Sequence, residues 1–282
     1  MRLLMLAAVA ELLLLLSARA EPTSEIPFQY QDGLIWLKVG IAGKKEPRNF
    51  LLDSGASVSA IDLRTAEAYR IPLGDRLPVQ GVSGPSFAYR VTDFQATVGG
   101  IPLSRSVLAV DLRTVSDRCH QNIDGIVGLD FFRNRILQVN FSSGEICVLN
   151  DCEPDLATCD ILPMKMRNST FCVPVQIAGN RELWMRLDTG CDSALECVVA
   201  GTESRRMGEP SIGVSGASTH YIKTSARLGK HRFTNVTVGI HPRQIFPGED
   251  GLLGNGLLSK FRVTIDEPRS RLVLEKTSLP PE

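Results

Sequence analysis

The chain has 282 residues, with 31 Lys and Arg against 31 Asp and Glu, and a mean hydropathy of +0.02. That length holds one large domain or two ordinary ones with buried cores, and the even charge leaves no basic stripe to attract nucleic acid or an anionic membrane. Neither the seven cysteines nor the four histidines fall at metal-ligand spacing, so no metal and no cofactor is expected.

The first element is residues 1–20, where Arg2 precedes an apolar run centred on Leu12 to Leu16 and Ala18-Arg19-Ala20 forms a small-x-small site. This reads as a secretory signal peptide cleaved after Ala20, which makes the protein secreted or periplasmic, with no membrane segment once the peptide is removed. Loss of Arg2, Glu11 and Arg19 leaves a net charge of −1. In an exported chain, Cys152 with Cys159 and Cys191 with Cys197 are close enough in sequence to be disulfide partners, and the odd count leaves one thiol free. Sequons stand at Asn140, Asn168 and Asn235.

From residue 34 onward the pattern is β-rich. "LIWLKVGI", "NFLLD", "SVLAV" and "ILQVNF" carry branched and aromatic residues between Gly, Pro and Asn punctuation, and "FCVPVQI", "WMRLD", "VTVGI" and "FRVTI" do the same later. A short helix is expected at about 63–70, where "LRTAEAYR" is stopped by Pro72, and another after each of "DGIVG" and "DGLLG". The polar segment 150–163 reads as a linker between an N-terminal lobe, 21–149, and a C-terminal lobe, 164–279.

The two halves repeat. "VGIAGK" answers "VQIAGN", "LLDSGAS" answers "RLDTGCDS", "GVSG" occurs twice, and "DGIVGLDFF" answers "DGLLGNGLL", at offsets of 136, 135, 132 and 126 residues. Four blocks in the same order with a slowly drifting offset describe one module duplicated, with small deletions since.

A single Asp before Ser-Gly reads as a turn residue. Two in matched motifs read differently, because a pseudo-two-fold would bring equivalent loops face to face. Asp53 and Asp188 would then share one proton, the ionised member activating water and the protonated member donating to a carbonyl. Gly55 and Gly190 let the backbone approach the carboxylates, and the hydroxyls of Ser54 and Thr189 are placed to pin the loops together across the interface. Arg186 stands where the first half has Leu51, and strand alternation is expected to turn it away from the pair. Asp124 and Asp250, each before Gly, read as turn residues. Cys191 could be a nucleophile, but no His lies near it in sequence.

An apolar run ending in Asp-Ser/Thr-Gly, followed later by two apolar residues and Gly, resembles the signature of the aspartic proteases. The module length and the ending "DGLLGNGLLSKFRVTIDEPRSRLVLE" are most similar to the retropepsin-like aspartyl proteases of bacterial proteins, here as a fused tandem. The resemblance implies an all-β fold of two homologous barrel lobes with the active site between them and Asp53 and Asp188 catalytic. It also implies flap tips at Gly81, Val82, Ser83 and Gly84 and at Gly213, Val214, Ser215 and Gly216, with Tyr89 and Tyr221 just beyond them. By the same resemblance Asp192 would make an ion pair or contact substrate backbone; as a residue alone it reads equally as a solvated loop Asp. The expected activity is endopeptidase cleavage of an extended peptide or protein substrate, for which one chain suffices; the competing reading is an inactive module of the same fold that binds peptides or a partner. Ala56 and Cys191 stand where pepsins place Ser or Thr, and loss of that hydroxyl implies a milder pH optimum than pepsin's.

Overall fold

In the computed structural model, the residues described are 22–81, 84–179, 182–198, 211–212, 218–242 and 244–277. The expected signal peptide and the flap residues Val82, Ser83, Gly213, Val214, Ser215 and Gly216 lie outside them. The fold is all-β, in two lobes built on one strand plan.

In the first lobe, β1 (Pro22–Gln31) turns through Asp32 and Gly33, both in the left-handed region, into β2 (Leu34–Ile41). Then come β3 (Arg48–Leu52), β4 (Ala60–Asp62), the exposed hairpin of β5 (Arg76–Gly81) and β6 (Gly84–Val91), the small hairpin of β7 (Ala96–Val98) and β8 (Ile101–Pro102), β9 (Val107–Val110) and β10 (Gly125–Val127). The chain closes the lobe with β11 (Ile136–Asn140) and β12 (Glu145–Leu149).

The second lobe repeats the plan with β13 (Cys159–Pro163), β14 (Lys165–Arg167), β15 (Thr170–Ile177), β16 (Glu182–Leu187) and β17 (Leu195–Val198), then β18 (Ser211–Ile212), β19 (Ser218–Leu228), β20 (His231–His241), β21 (Gly251–Leu253), β22 (Phe261–Asp266) and β23 (Arg271–Lys276). In each lobe the strand bearing the Asp motif lies parallel to the strand bearing the two apolar residues, β3 with β10 and β16 with β21. That second strand pairs antiparallel with β4 or β17, which in turn runs parallel to β9 or β20. Such identity of pairing is what a duplicated module predicts.

The lobes join through a shared sheet in the order β13-β23-β22-β11-β12-β1. At its centre Gln138 of β11 faces Thr264 of β22, and the Gln138 amide donates to the Thr264 hydroxyl at 3.0 Å. These two residues are 126 apart, the offset of the last repeat block, so each stands opposite its own repeat mate and the pseudo-two-fold passes between them. Apolar residues of both lobes, from Phe50 and Leu52 to Leu253 and Ile265, form one continuous core across this sheet.

The segment expected as a linker differs in part, since Cys159–Pro163 is strand β13, the repeat mate of the start of β1. The helix expected at 63–70 covers Leu63–Ala68, started by Asp62, whose carboxylate accepts from Thr65 N–H. It ends earlier than Pro72 because Arg70 takes the left-handed conformation and Ile71 N–H closes back on Ala66. A further helix, Arg113–Arg118, was not expected from its mixed pattern. The cysteine pairs proposed from spacing are not bonded, for all seven are free thiols. Cys191 turns its sulfur to the Ser193 hydroxyl at 3.1 Å, whereas Cys197 is buried within β17.

Candidate active site

Both Asp motifs emerge from the ends of buried strands. Asp53 follows β3, and its N–H donates to Val127 O at 2.9 Å; Asp188 follows β16, and its N–H donates to Leu253 O at 3.0 Å. The apolar strand ends Ile126-Val127 and Leu252-Leu253 therefore lie directly beside the two motif strands. Below each loop the chain turns again, into a short 3-10 turn at Leu129–Phe131 and a helical turn at Asn255–Leu258. Leu129 N–H and Asn255 N–H, repeat mates, reach back to the carbonyls of Ala56 and Cys191.

Across the interface the loops are tied by four hydrogen bonds with two-fold symmetry. Ser54 N–H donates to Thr189 Oγ1 at 2.9 Å and Thr189 N–H to Ser54 Oγ at 3.1 Å. The Ser54 hydroxyl donates to Leu187 O at 2.7 Å and the Thr189 hydroxyl to Leu52 O at 3.0 Å. All of these groups are buried, so every bond also meets a desolvated backbone polar group that would otherwise lack a partner.

This grip brings Asp53 and Asp188 within hydrogen-bonding reach of each other. Each carboxyl packs on the other loop's glycine, for a Cβ added to Gly55 would lie 2.6 Å from the Asp188 carboxyl carbon, and one on Gly190 would lie 2.5 Å from that of Asp53. Only glycine admits such an approach. Asp53 accepts from the N–H groups of Ala56, at 2.9 Å, and Gly55; Asp188 accepts from Gly190 N–H at 2.9 Å. Burial pushes the Asp53 carboxyl up, against the pull of its backbone donors. Asp188 is pushed well above the usual carboxylate range, by burial first and then by the charge of Asp53. Two carboxyls so arranged, Asp188 buried and Asp53 half-buried, favour sharing one proton over ionising together. A water placed against such a pair loses a proton to the charged member, while the other can donate.

Residues 37–131 match the family model described as aspartyl protease. This stretch of the N-terminal lobe is thus similar to the retropepsin-like aspartyl proteases. The match takes in Asp53, Ser54 and Gly55 and runs through the apolar strand β10 to Phe131. No curated protein matches the chain.

Around the two Asp loops the other expected residues fall as follows. Gly81 and Gly84 face each other at the end of the β5–β6 hairpin, an exposed ribbon on which the Arg76 guanidinium lies over the Phe87 ring at 3.7 Å. In the second lobe β18 and β19 pair Ile212 with Ser218, on either side of the corresponding stretch. Tyr89 and Tyr221 stand on β6 and β19, paired with strands β9 and β20. Asp192 is exposed and makes no ion pair among the described residues. Asp124 and Asp250 tie loops to strands, Asp124 accepting from Asn49 N–H and the Thr65 hydroxyl, and Asp250 from Trp184 N–H. Burial and then the charge of Asp188 push the Cys191 thiol far up, which keeps it neutral and unsuited to attack.

Arg186 makes no hydrogen bond to either carboxyl of the pair, yet its charge pulls both carboxyls down. It is buried, with 4% of its surface exposed. Its Nε and NH2 donate to the two oxygens of Glu249, each at 2.7 Å, and its NH1 donates to Gly55 O at 2.7 Å, across the interface. The Phe246 ring lies under its guanidinium at 3.3 Å, and Asn168 donates to Glu249 at 2.8 Å. Arg186 and Glu249 occupy the places that Leu51 and Ile123 hold in the first lobe, so the sequence period fixes the face but not the partner. Asn255 was also missed; its amide donates to Gly33 O and Thr189 O, linking the β1–β2 turn of one lobe to the loop of the other. Both residues could have been found by asking where the halves differ, since Arg186, Glu249 and Asn255 replace Leu51, Ile123 and Leu129.

Proposed function

We propose that the protein is an exported aspartic endopeptidase in which Asp53 and Asp188 jointly activate a water that attacks the scissile carbonyl of an extended peptide. The observation that carries this reading is the pair of facing carboxyls, each seated on the opposite loop's glycine. The charged carboxylate takes a proton from water as it adds to the carbonyl carbon, and the protonated carboxyl stabilises the developing oxyanion by donating to it. Collapse of the tetrahedral species passes a proton to the leaving amine and returns the pair to its singly protonated state.

The exposed β5–β6 ribbon, whose outer strand β5 pairs with no further strand among the described residues, supports a substrate held as an added strand, with pockets for alternate side chains. One chain supplies both carboxyls, so a monomer is sufficient. Export rests on the N-terminal sequence alone. An inactive peptide-binding module is the weaker reading, because a module released from catalysis has no need to hold two matched carboxyls against each other at a cost in stability.

The reading is tested by incubating the protein with an unfolded protein substrate across about pH 3 to 7 and mapping new termini by mass spectrometry. Internal cleavage with a bell-shaped pH profile is expected, with a maximum above pepsin's acidic range because neither Ala56 nor Cys191 offers a hydroxyl to the dyad. A maximum near about pH 2 would contradict the assigned pH behaviour, and a folded protein that cleaves nothing would contradict the activity.

A further inference from the structure

The Arg186–Glu249 pair is not something the fold requires. In the first lobe the same two positions are Leu51 and Ile123, buried together in an apolar cluster with Leu34, Trp36 and Leu112. A buried ion pair in place of such a contact is at best neutral for stability, because desolvating two charges offsets their attraction. The duplicated module thus contains its own control, and the ionic version occurs in one lobe only.

What the ionic version adds is a bond across the interface. Arg186 NH1 donates to Gly55 O, and the carbonyl of Gly55 and the N–H of Ala56 belong to one planar trans peptide, in which they point in opposite directions. Fixing the carbonyl on Arg186 therefore aims the Ala56 N–H the other way, where it meets Asp53 Oδ1 at 2.9 Å. Leu51 can donate nothing to the matching carbonyl of Gly190, and Asp188 accepts from Gly190 N–H alone, whereas Asp53 accepts from the matching Gly55 N–H and from Ala56 N–H as well. The loops are symmetric in their grip and asymmetric in how they support their carboxyls.

We propose that Arg186, clamped by Glu249, is a positioning residue that orients the Gly55–Ala56 peptide toward Asp53 and so makes Asp53 the charged, water-activating member of the pair and Asp188 the proton-bearing one. This rests on the protease reading above. Glu249 has the further duty of cancelling Arg186's charge, since an uncompensated cation there would hold both carboxyls ionised and remove the shared proton. The charged and titratable groups in the same shell are Asp53, Asp188 and Glu249 around the guanidinium, with Cys172, Asp250 and Arg167 behind them; burial pushes the Cys172 thiol up to about 12, so it stays neutral.

The test replaces the pair with the other lobe's own solution, Arg186→Leu with Glu249→Ile. Removing both charges leaves neither unpaired, so the double variant is expected to fold with a Tm close to wild type. Its kcat should fall about 10- to 100-fold with KM little changed, and the acid limb of its pH profile should move upward by about half a unit or more, since Arg186 favours the charged dyad. Arg186→Lys, which keeps the charge but not the fork, should restore the limb and only part of kcat. A double variant with wild-type kcat and limb would overturn the proposal, as would a loss of activity that follows a loss of Tm with the limb unmoved. Carboxyl-carbon NMR titration of wild type and double variant reads the same assignment without turnover: Asp53 ionising before Asp188 in wild type, and at higher pH in the double variant, supports it, and Asp188 ionising first overturns it. If no substrate is cleaved, that titration separates failure of the protease reading from failure of the positioning one.

Discussion

Gly55 and Gly190 are the residues that allow two acids to share one site. Their missing side chains are the space the opposing carboxyls occupy, so Gly55→Ala and Gly190→Ala should each force the carboxyls apart while leaving the cores untouched. The expected result is a fall in kcat of about 100-fold or more with near-normal thermal stability; full activity in either variant would contradict the packing described. Asp188 carries a second prediction. Its folded pKa lies above the unfolded one, so its contribution to stability is fully present below the unfolded value and is lost as pH rises through the folded value. Asp188→Asn escapes that loss, and its Tm should gain on wild type as pH rises from about 4 to 8. A gap in Tm that stays constant with pH would mean that Asp188 is not held protonated.

At the scale of elements, the four-bond grip is the joint between the lobes' two Asp loops. Thr189→Val keeps the shape but leaves Ser54 N–H and Leu52 O without partners in a buried site, at a cost of about 2–3 kcal/mol. Denaturant unfolding should show that loss together with a drop in activity, whereas Thr189→Ser should retain both. The elements themselves were largely legible. Branched and aromatic runs between turn residues mark the strands, and Asp62 before "LRTAEA" marks a helix start. The helix Arg113–Arg118 was not, for it has no side-chain cap and only one basic residue in its last turn to announce it. What Arg186 does was not legible because a two-residue period describes where Cβ points and not where a guanidinium at the end of a long side chain finds its partner. That partner, Glu249, lies 63 residues away, and no local pattern connects the two.

For the whole molecule, the internal repeat was the most informative feature of the sequence. It foretells equivalent loops, and the structure adds the axis on which they meet, between Gln138 and Thr264 at the centre of the shared sheet. What the repeat could not convey is that the sheet also fuses the two cores into one, so that the lobes are expected to unfold together in a single transition. It equally concealed the asymmetry, because a reader looking for matches passes over Leu51 and Arg186 as a mismatch. The dyad is thus a symmetric frame on which one lobe has placed an ion pair. The most direct measurement of the central claim is cleavage of an unfolded protein by wild type, Asp53→Asn and Asp188→Asn, at the wild-type optimum. Either substitution alone should lower the rate by about a thousandfold or more with the fold intact, since neither carboxyl can do both jobs. Substantial cleavage by either single variant would contradict it.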